Sequence, residues 1–232
     1  MREVPGRPTM EHDGWRQRVR RLIDVIVGGV IALAAVPLIA ALAVIGVIVF
    51  RANPFFVQER VGLRGRPFQL WKLRSMPPDA PAYVDKYALR EVEIPRWGRL
   101  IRRLHLDELP QLLHVPQGRM SLVGPRPEMV FLHEQMPDGF ARSRVSVRPG
   151  CTGLWQVSVA SARLILEAPQ YDRLYVEQRN WRLDLWILVR TVLQMLHLTR
   201  PVELGDVPRW ALRRGAWRSA DLVAGDAVRD AA

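Results

Sequence analysis

Val25 to Phe50 is a run of 26 residues without a charge, more than the roughly 20 needed to cross the hydrocarbon core of a bilayer. Nothing else in the chain constrains its fold so strongly, because a helix apolar on every side must sit in lipid or in a large protein core. The run is too long for the apolar part of a secretory signal, and no small-residue cleavage site follows it at the usual place. Arg16, Arg18, Arg20, Arg21 and Asp24 stand before it, and Arg51, Arg60, Arg64 and Arg66 after it. Basic residues on both flanks conflict with a simple span, since arginine-rich segments stay on the cytoplasmic side. Pro37, near the middle, removes the amide that would bond the carbonyl of Leu33 and predicts a kink. Two readings remain: a re-entrant helix-break-helix that returns to the cytoplasmic face, and an ordinary kinked transmembrane helix.

The charge points to an anionic partner. Thirty-four basic residues against 23 acidic ones leave a formal net charge of +11, and Lys72 and Lys86 are the only lysines. Arginine suits phosphate, because its planar fork binds two oxygens at once. Nucleic acid, a phosphorylated substrate and acidic lipid would all fit such a surplus. No zinc finger, basic zipper or RNA-binding aromatic motif is present, so nucleic acid is not the expected partner. Cys151 is the only cysteine, which excludes an internal disulfide. His12, His105, His114, His133 and His197 lack zinc-like spacing, and no structural metal is expected.

The remainder predicts a mainly α fold with a small β-hairpin. Phe55 to Val57 and the alternating stretch Phe68 to Arg74 flank a turn-rich piece, Val61 to Pro67, and read as two paired strands. Apolar spacing is helical from Trp97 to Leu113, with an interruption near His105. Residues 116–128 and 147–153 are rich in glycine and proline and read as loops. Tyr171 to Leu198 predicts one long amphipathic helix, lying in the headgroup layer or packed on the soluble core. The expected organisation is a basic segment over 1–21, a membrane helix over 22–50, a cytoplasmic domain over 51–200 and a weakly ordered tail over 201–232.

Two short stretches carry candidate chemistry. In Leu106-Asp107-Glu108-Leu109-Pro110-Gln111, Pro110 fits the first turn of a helix, which should therefore start near Asp107. Two adjacent carboxylates at that positive end could hold a divalent cation against a phosphate. Consecutive helical residues diverge by about 100°, so the pair is suited to two roles, one attacking and one holding a metal. On the residues alone, an aspartate so placed is more often a plain helix N-cap. In Ser121-Leu122-Val123-Gly124-Pro125-Arg126-Pro127, prolines on both sides present Arg126 with little freedom left to lose, as a diphosphate ligand requires.

Several motifs in one order resemble the bacterial sugar transferase family, the small monotopic phosphoglycosyl transferases. They are Arg20 to Asp24, Gln58 to Gly62, Lys72 to Met76, Asp107 to Gln111, Ser121 to Pro127, Arg148 to Gly150, Thr152-Gly153 and Trp155 to Val157, with Asp172, Tyr175 and Asp184 following. The resemblance runs from about Arg20 to Leu196. It implies transfer of a sugar-1-phosphate from a UDP-sugar to polyprenyl (undecaprenyl) phosphate at the cytoplasmic face of the cell membrane. Asp107 would be the nucleophile, and Glu108 with a magnesium ion (Mg2+) would neutralise the diphosphate, Asp107 being a further metal ligand. Arg60, Lys72, Arg74, Pro125, Arg126, Pro127 and Arg148 stand in those motifs and are the expected substrate contacts. UDP-sugar, polyprenyl phosphate and membrane lipids are the expected partners, and a homodimer is left open. Three departures from the family pattern stand out: Val36 instead of Ser before Pro37, His105 instead of Ser or Thr, and Val159-Ala160 instead of Gly-Arg. The last leaves open a catalytically inactive member that acts as a membrane scaffold.

Overall fold

A computed structural model describes residues 11–85 and 87–213. The first ten residues of the basic segment, and the part of the expected tail beyond Arg213, lie outside the described residues. The chain is mainly helical with a small antiparallel hairpin, in line with the sequence.

Helix α1 (Glu11–Phe50) contains Pro37 and runs through it without interruption. The two separate helices of a helix-break-helix are therefore not seen; a proline bends a helix that stays continuous, by removing one amide bond and crowding the carbonyl of Leu33. Asp24, Gly28, Ala32, Ile39, Leu42, Ala43, Gly46 and Phe50 are buried and Ala35 half-buried, at spacings of three or four residues. One narrow stripe therefore rests on the rest of the chain along the whole apolar run. Small residues bring the surfaces close: a Cβ on Gly28 would meet Val115 Cγ1 at 2.5 Å. Leu22, Ile26, Val30, Leu33, Val44 and Ile48 are exposed on the other sides. So large an apolar surface marks contact with lipid or another protein. By length and composition, Arg18–Phe50 could cross a membrane.

Strands β1 (Phe55–Val61) and β2 (Pro67–Leu73) pair antiparallel, from Phe55 opposite Leu73 to Val61 opposite Pro67. This is the expected hairpin, longer on its first strand. Helix α2 (Arg96–Arg103) ends at Leu104, and His105 turns the chain with a left-handed φ of 54°. A 3-10 helix then spans Leu106–His114. The interruption near His105 is thus real, and the helix after it is wound more tightly than an α-helix.

The two Gly/Pro stretches read as loops contain a second pairing. Strands β3 (Ser121–Val123) and β4 (Gly150–Thr152) are parallel neighbours. Their crossing needs glycine on both sides, since a Cβ on Gly150 would lie 2.0 Å from the Gly124 nitrogen. Between them stand α3 (Val130–Glu134) and α4 (Asp138–Val145). The single helix expected over Tyr171–Leu198 is two, α5 (Gln170–Gln178) and α6 (Trp181–Met195). Asn180 makes the division: its side-chain oxygen accepts the amides of Arg182 and Leu183 at 2.9 and 3.2 Å, an N-cap that starts a new helix.

The main core gathers Met120, Leu154, Leu174, Tyr175, Leu183 and Ile187, and a smaller cluster joins Ile39, Leu42 and Ala43 of α1 to Leu73 and Ile101. Residues 201–213, expected in the weakly ordered tail, belong to the main core through Val202, Val207 and Ala211. Their amides follow suit: Val202 donates to the Val157 carbonyl at 3.0 Å. Short apolar residues spaced among prolines and charges hid this return from the sequence reading.

Candidate active site

The 3-10 helix Leu106–His114 sets the two carboxylates side by side in different surroundings. Asp107 is 7% exposed, and among the described residues no hydrogen bond holds its carboxylate. It does not act as the helix N-cap; His105 occupies that position and makes no side-chain capping bond. Glu108 is tied on two sides. Lys72 of β2 reaches Glu108 Oε1 at 2.7 Å, and Arg126 Nη2 reaches the same oxygen at 2.7 Å. Arg126 Nη1 stands 3.4 Å from Oε2, leaving that oxygen the less engaged of the two.

Electrostatics separate the pair further. Burial pushes the Asp107 carboxyl up, and the Glu108 charge adds to the rise, against Lys72, Arg102 and Arg126. Burial also acts to raise Glu108, but Arg126 and Lys72 outweigh it and hold this carboxyl well below its ordinary range. Glu108 in turn raises Arg126, while Lys72 is lowered by burial despite Glu108. Neighbouring carboxyls displaced in opposite directions are a recurring sign of divided chemical roles. One is a fixed anion inside a cationic clamp. The other is an unengaged carboxylate with raised basicity.

The loop after β3 presents Arg126. The Pro125 carbonyl accepts the Gly150 amide at 2.9 Å, and the Pro127 carbonyl accepts from Arg60 Nη1 at 3.3 Å. Arg60 is buried in β1, 3.9 Å from Glu128, and burial lowers its pKa to about 10 against the pull of that carboxylate. Lys72 and Arg126 therefore meet at Glu108, while Arg60 and the Pro125 and Pro127 carbonyls brace the loop that presents Arg126. Arg74 and Arg148 do not join the clamp: Arg74 Nε donates to the Asn53 carbonyl at 2.7 Å, and Arg148 Nε to that of Gly118 at 3.0 Å.

Arg144 is a contributor the sequence reading missed. It is buried in α4, donates from Nε to Asp172 Oδ2 at 2.7 Å, and from Nη2 to the Arg126 carbonyl at 2.7 Å. It thereby fixes the backbone of the residue that clamps Glu108. One arginine among many in an arginine-rich chain carries no local signal. Its buried partner Asp172, in the first turn of α5, is the only hint.

Among the described residues, no three His, Cys, Asp or Glu side chains gather as a metal cage. A magnesium ion needs no such cage, since one or two carboxylates and substrate phosphates suffice. Glu108 Oε2 and the unengaged oxygens of Asp107 fit that kind of site. Cys151 does not compete as a nucleophile, because burial pushes its thiol up. Val159 and Ala160 open a short 3-10 helix capped by Ser158, with Ala160 buried, so no basic side chain projects from these two positions.

Residues 15–198 match the family described as bacterial sugar transferase. Over 142 residues the chain is 41% identical to the uncharacterized sugar transferase EpsL of Bacillus subtilis (strain 168), covering 61% of this chain and 69% of that protein. It is 36% identical over 190 residues to a UDP-glucose:undecaprenyl-phosphate glucose-1-phosphate transferase of Caulobacter vibrioides, covering 76% of this chain and 69% of the relative. A Klebsiella pneumoniae protein of the same name is 32% identical over 182 residues, 75% of this chain but only 39% of the relative's length.

Proposed function

Because the chain belongs to the bacterial sugar transferase family, we propose that it moves a sugar-1-phosphate from a UDP-sugar to polyprenyl phosphate. The observation that carries this reading is the divided pair: an unengaged Asp107 beside a Glu108 clamped by Lys72 and Arg126. Asp107 attacks the β-phosphorus, the bond to the UMP oxygen breaks, and UMP leaves with its electron pair. A phosphate oxygen of the lipid then attacks the same phosphorus, and the aspartyl-phosphate bond breaks to regenerate the carboxylate. Such displacements depend above all on alignment and charge neutralisation. Arg126, Lys72 and Arg60 supply positive charge around the diphosphate, and the prolines beside Arg126 limit its movement. Magnesium, held by Glu108 with Asp107, would supply further neutralisation of the diphosphate.

In this reading residues 51–213 hold the catalytic domain, and α1 is re-entrant, bent at Pro37 so that it enters and leaves on the cytoplasmic side. Support comes from where the ends of its apolar run are held. Arg20 pairs with Asp184 of α6, and Arg21 donates to the carbonyls of Val115 and Pro116 at 2.8 and 2.9 Å. Phe50, at the other end, is buried and leads directly into β1. A helix crossing away from the domain could not keep contacts at both ends. On α6, Trp181, Leu185, Val189 and Val192 form an exposed apolar row, with Leu183 and Ile187 buried opposite. That pattern suits an amphipathic helix at the headgroup level. The test is UMP release by the purified full chain, given polyprenyl phosphate and a panel of UDP-sugars. Release that requires a UDP-sugar, with lipid-linked product, supports the proposal; no release across the panel contradicts it.

A further inference from the structure

The opening of the apolar helix holds polar side chains that the chemistry at Asp107 does not use, and they reach the elements that carry the site. Asp24 is buried, and its Oδ1 accepts the backbone amide of Leu122, in β3, at 3.1 Å. One turn earlier, Arg20 contacts both Asp184 and the Tyr175 hydroxyl. That hydroxyl lies 2.9 Å from the Val123 carbonyl oxygen and 3.0 Å from Asp184 Oδ1, with one proton to share between them. Arg21, between the two, binds the carbonyls of Val115 and Pro116, just beyond the 3-10 helix of Asp107. Among the described residues β3 has only β4 beside it, and two of its backbone groups, the Leu122 amide and the Val123 carbonyl, are satisfied from outside the sheet. Gly124 and Pro125 alone separate that strand from Arg126.

We infer that α1 is a working part of the sugar-nucleotide site as well as an anchor: Asp24 and the Arg20–Tyr175–Asp184 cluster hold β3 and thereby set where Arg126 stands. Asp24, Arg20 and Tyr175 are positioning residues, acting through a strand whose Leu122 amide and Val123 carbonyl otherwise lose these partners. The inference rests on the transferase reading for what Arg126 binds, while the hold on β3 does not depend on it.

The test uses the full chain in phospholipid nanodiscs with Asp24→Ala, Asp24→Asn and Tyr175→Phe. Two quantities are read: amide hydrogen exchange across residues 120–126, and KM and kcat for the UDP-sugar that the wild type consumes best. Asp24→Ala and Tyr175→Phe are expected to speed exchange in that segment and to raise KM for the UDP-sugar by roughly tenfold, the scale of one lost interaction near 1.4 kcal/mol. KM for polyprenyl phosphate should move much less. Asp24→Asn, whose amide oxygen still accepts the Leu122 N–H, should restore both quantities. Unchanged exchange in both Asp24→Ala and Tyr175→Phe, or faster exchange with an unchanged KM, overturns the inference. If Asp24→Ala fails to fold, Tyr175→Phe, which keeps the ring and loses only the hydroxyl, decides it. A wild type inert toward every UDP-sugar would instead sink the transferase reading, and the exchange measurement would then decide the hold on β3 by itself.

Discussion

At the scale of single residues, the two carboxylates make opposite demands on any substitution. A nucleophilic Asp107 must be ionised, so the acid limb of kcat/KM follows its pKa, which burial and the Glu108 charge raise above the ordinary Asp value. Glu108→Gln removes the like charge and leaves Lys72 and Arg126 to favour ionised Asp107. Its acid limb should therefore move to lower pH, while the rate at neutral pH falls; a pH–rate profile that keeps or raises the limb contradicts the account. Arg126→Lys should lower kcat/KM by about tenfold or more, ~1.4 kcal/mol, because a point charge cannot replace a fork held between two prolines. Steady-state UMP release checks this, and a lysine variant as active as the wild type would refute it. The residue types here were legible in sequence: an acidic pair before a proline and an arginine between prolines. That the pair would divide two roles was legible as well; the clamp that separates them was not, since it depends on Lys72 arriving from the hairpin and Arg126 from the loop after β3.

Elements show where local pattern stops being informative. The hairpin β1–β2 and the interruption at His105 follow from alternation and from a change of apolar spacing, both visible in short windows. The parallel pair β3–β4 does not, because each strand is only three residues long and sits within turn-forming residues. What marks it is the mutual fit of Gly124 and Gly150, a long-range fact. Likewise, apolar spacing continues across Asn180, and only the capping bonds divide α5 from α6. Arg144 links α4, α5 and the Arg126 loop with both side chains of its ion pair buried. Arg144→Met leaves the Asp172 carboxylate buried without its partner and should cost about 3–5 kcal/mol. Replacing both, as Arg144→Met with Asp172→Leu, should recover much of that stability without recovering activity. Thermal unfolding of the two variants checks the prediction, and equal stability of the single variant and the wild type would contradict it.

For the molecule as a whole, the apolar run and the arginines on its flanks announced the membrane, but the way α1 rests on the domain was hidden. Its contact stripe is largely small residues, which hydropathy cannot distinguish from lipid-facing ones. A re-entrant α1 predicts that Thr9→Cys and Arg218→Cys, each in a Cys151→Ala background, are both protected from a membrane-impermeant thiol reagent in intact cells. Labelling at position 9 alone would show a spanning helix. The central claim is that the chain passes the sugar phosphate through Asp107, and one measurement addresses it directly. Purified protein is mixed with its UDP-sugar without polyprenyl phosphate, UMP is quantified, and the peptide bearing Asp107 is weighed by mass spectrometry. The account predicts a burst approaching one UMP per active site and a sugar-phosphate adduct on that peptide, both abolished by Asp107→Asn, which keeps its fold because, among the described residues, the carboxylate has no hydrogen-bond partner to lose. No UMP until the lipid phosphate is added, or an undiminished burst from Asp107→Asn, would contradict it.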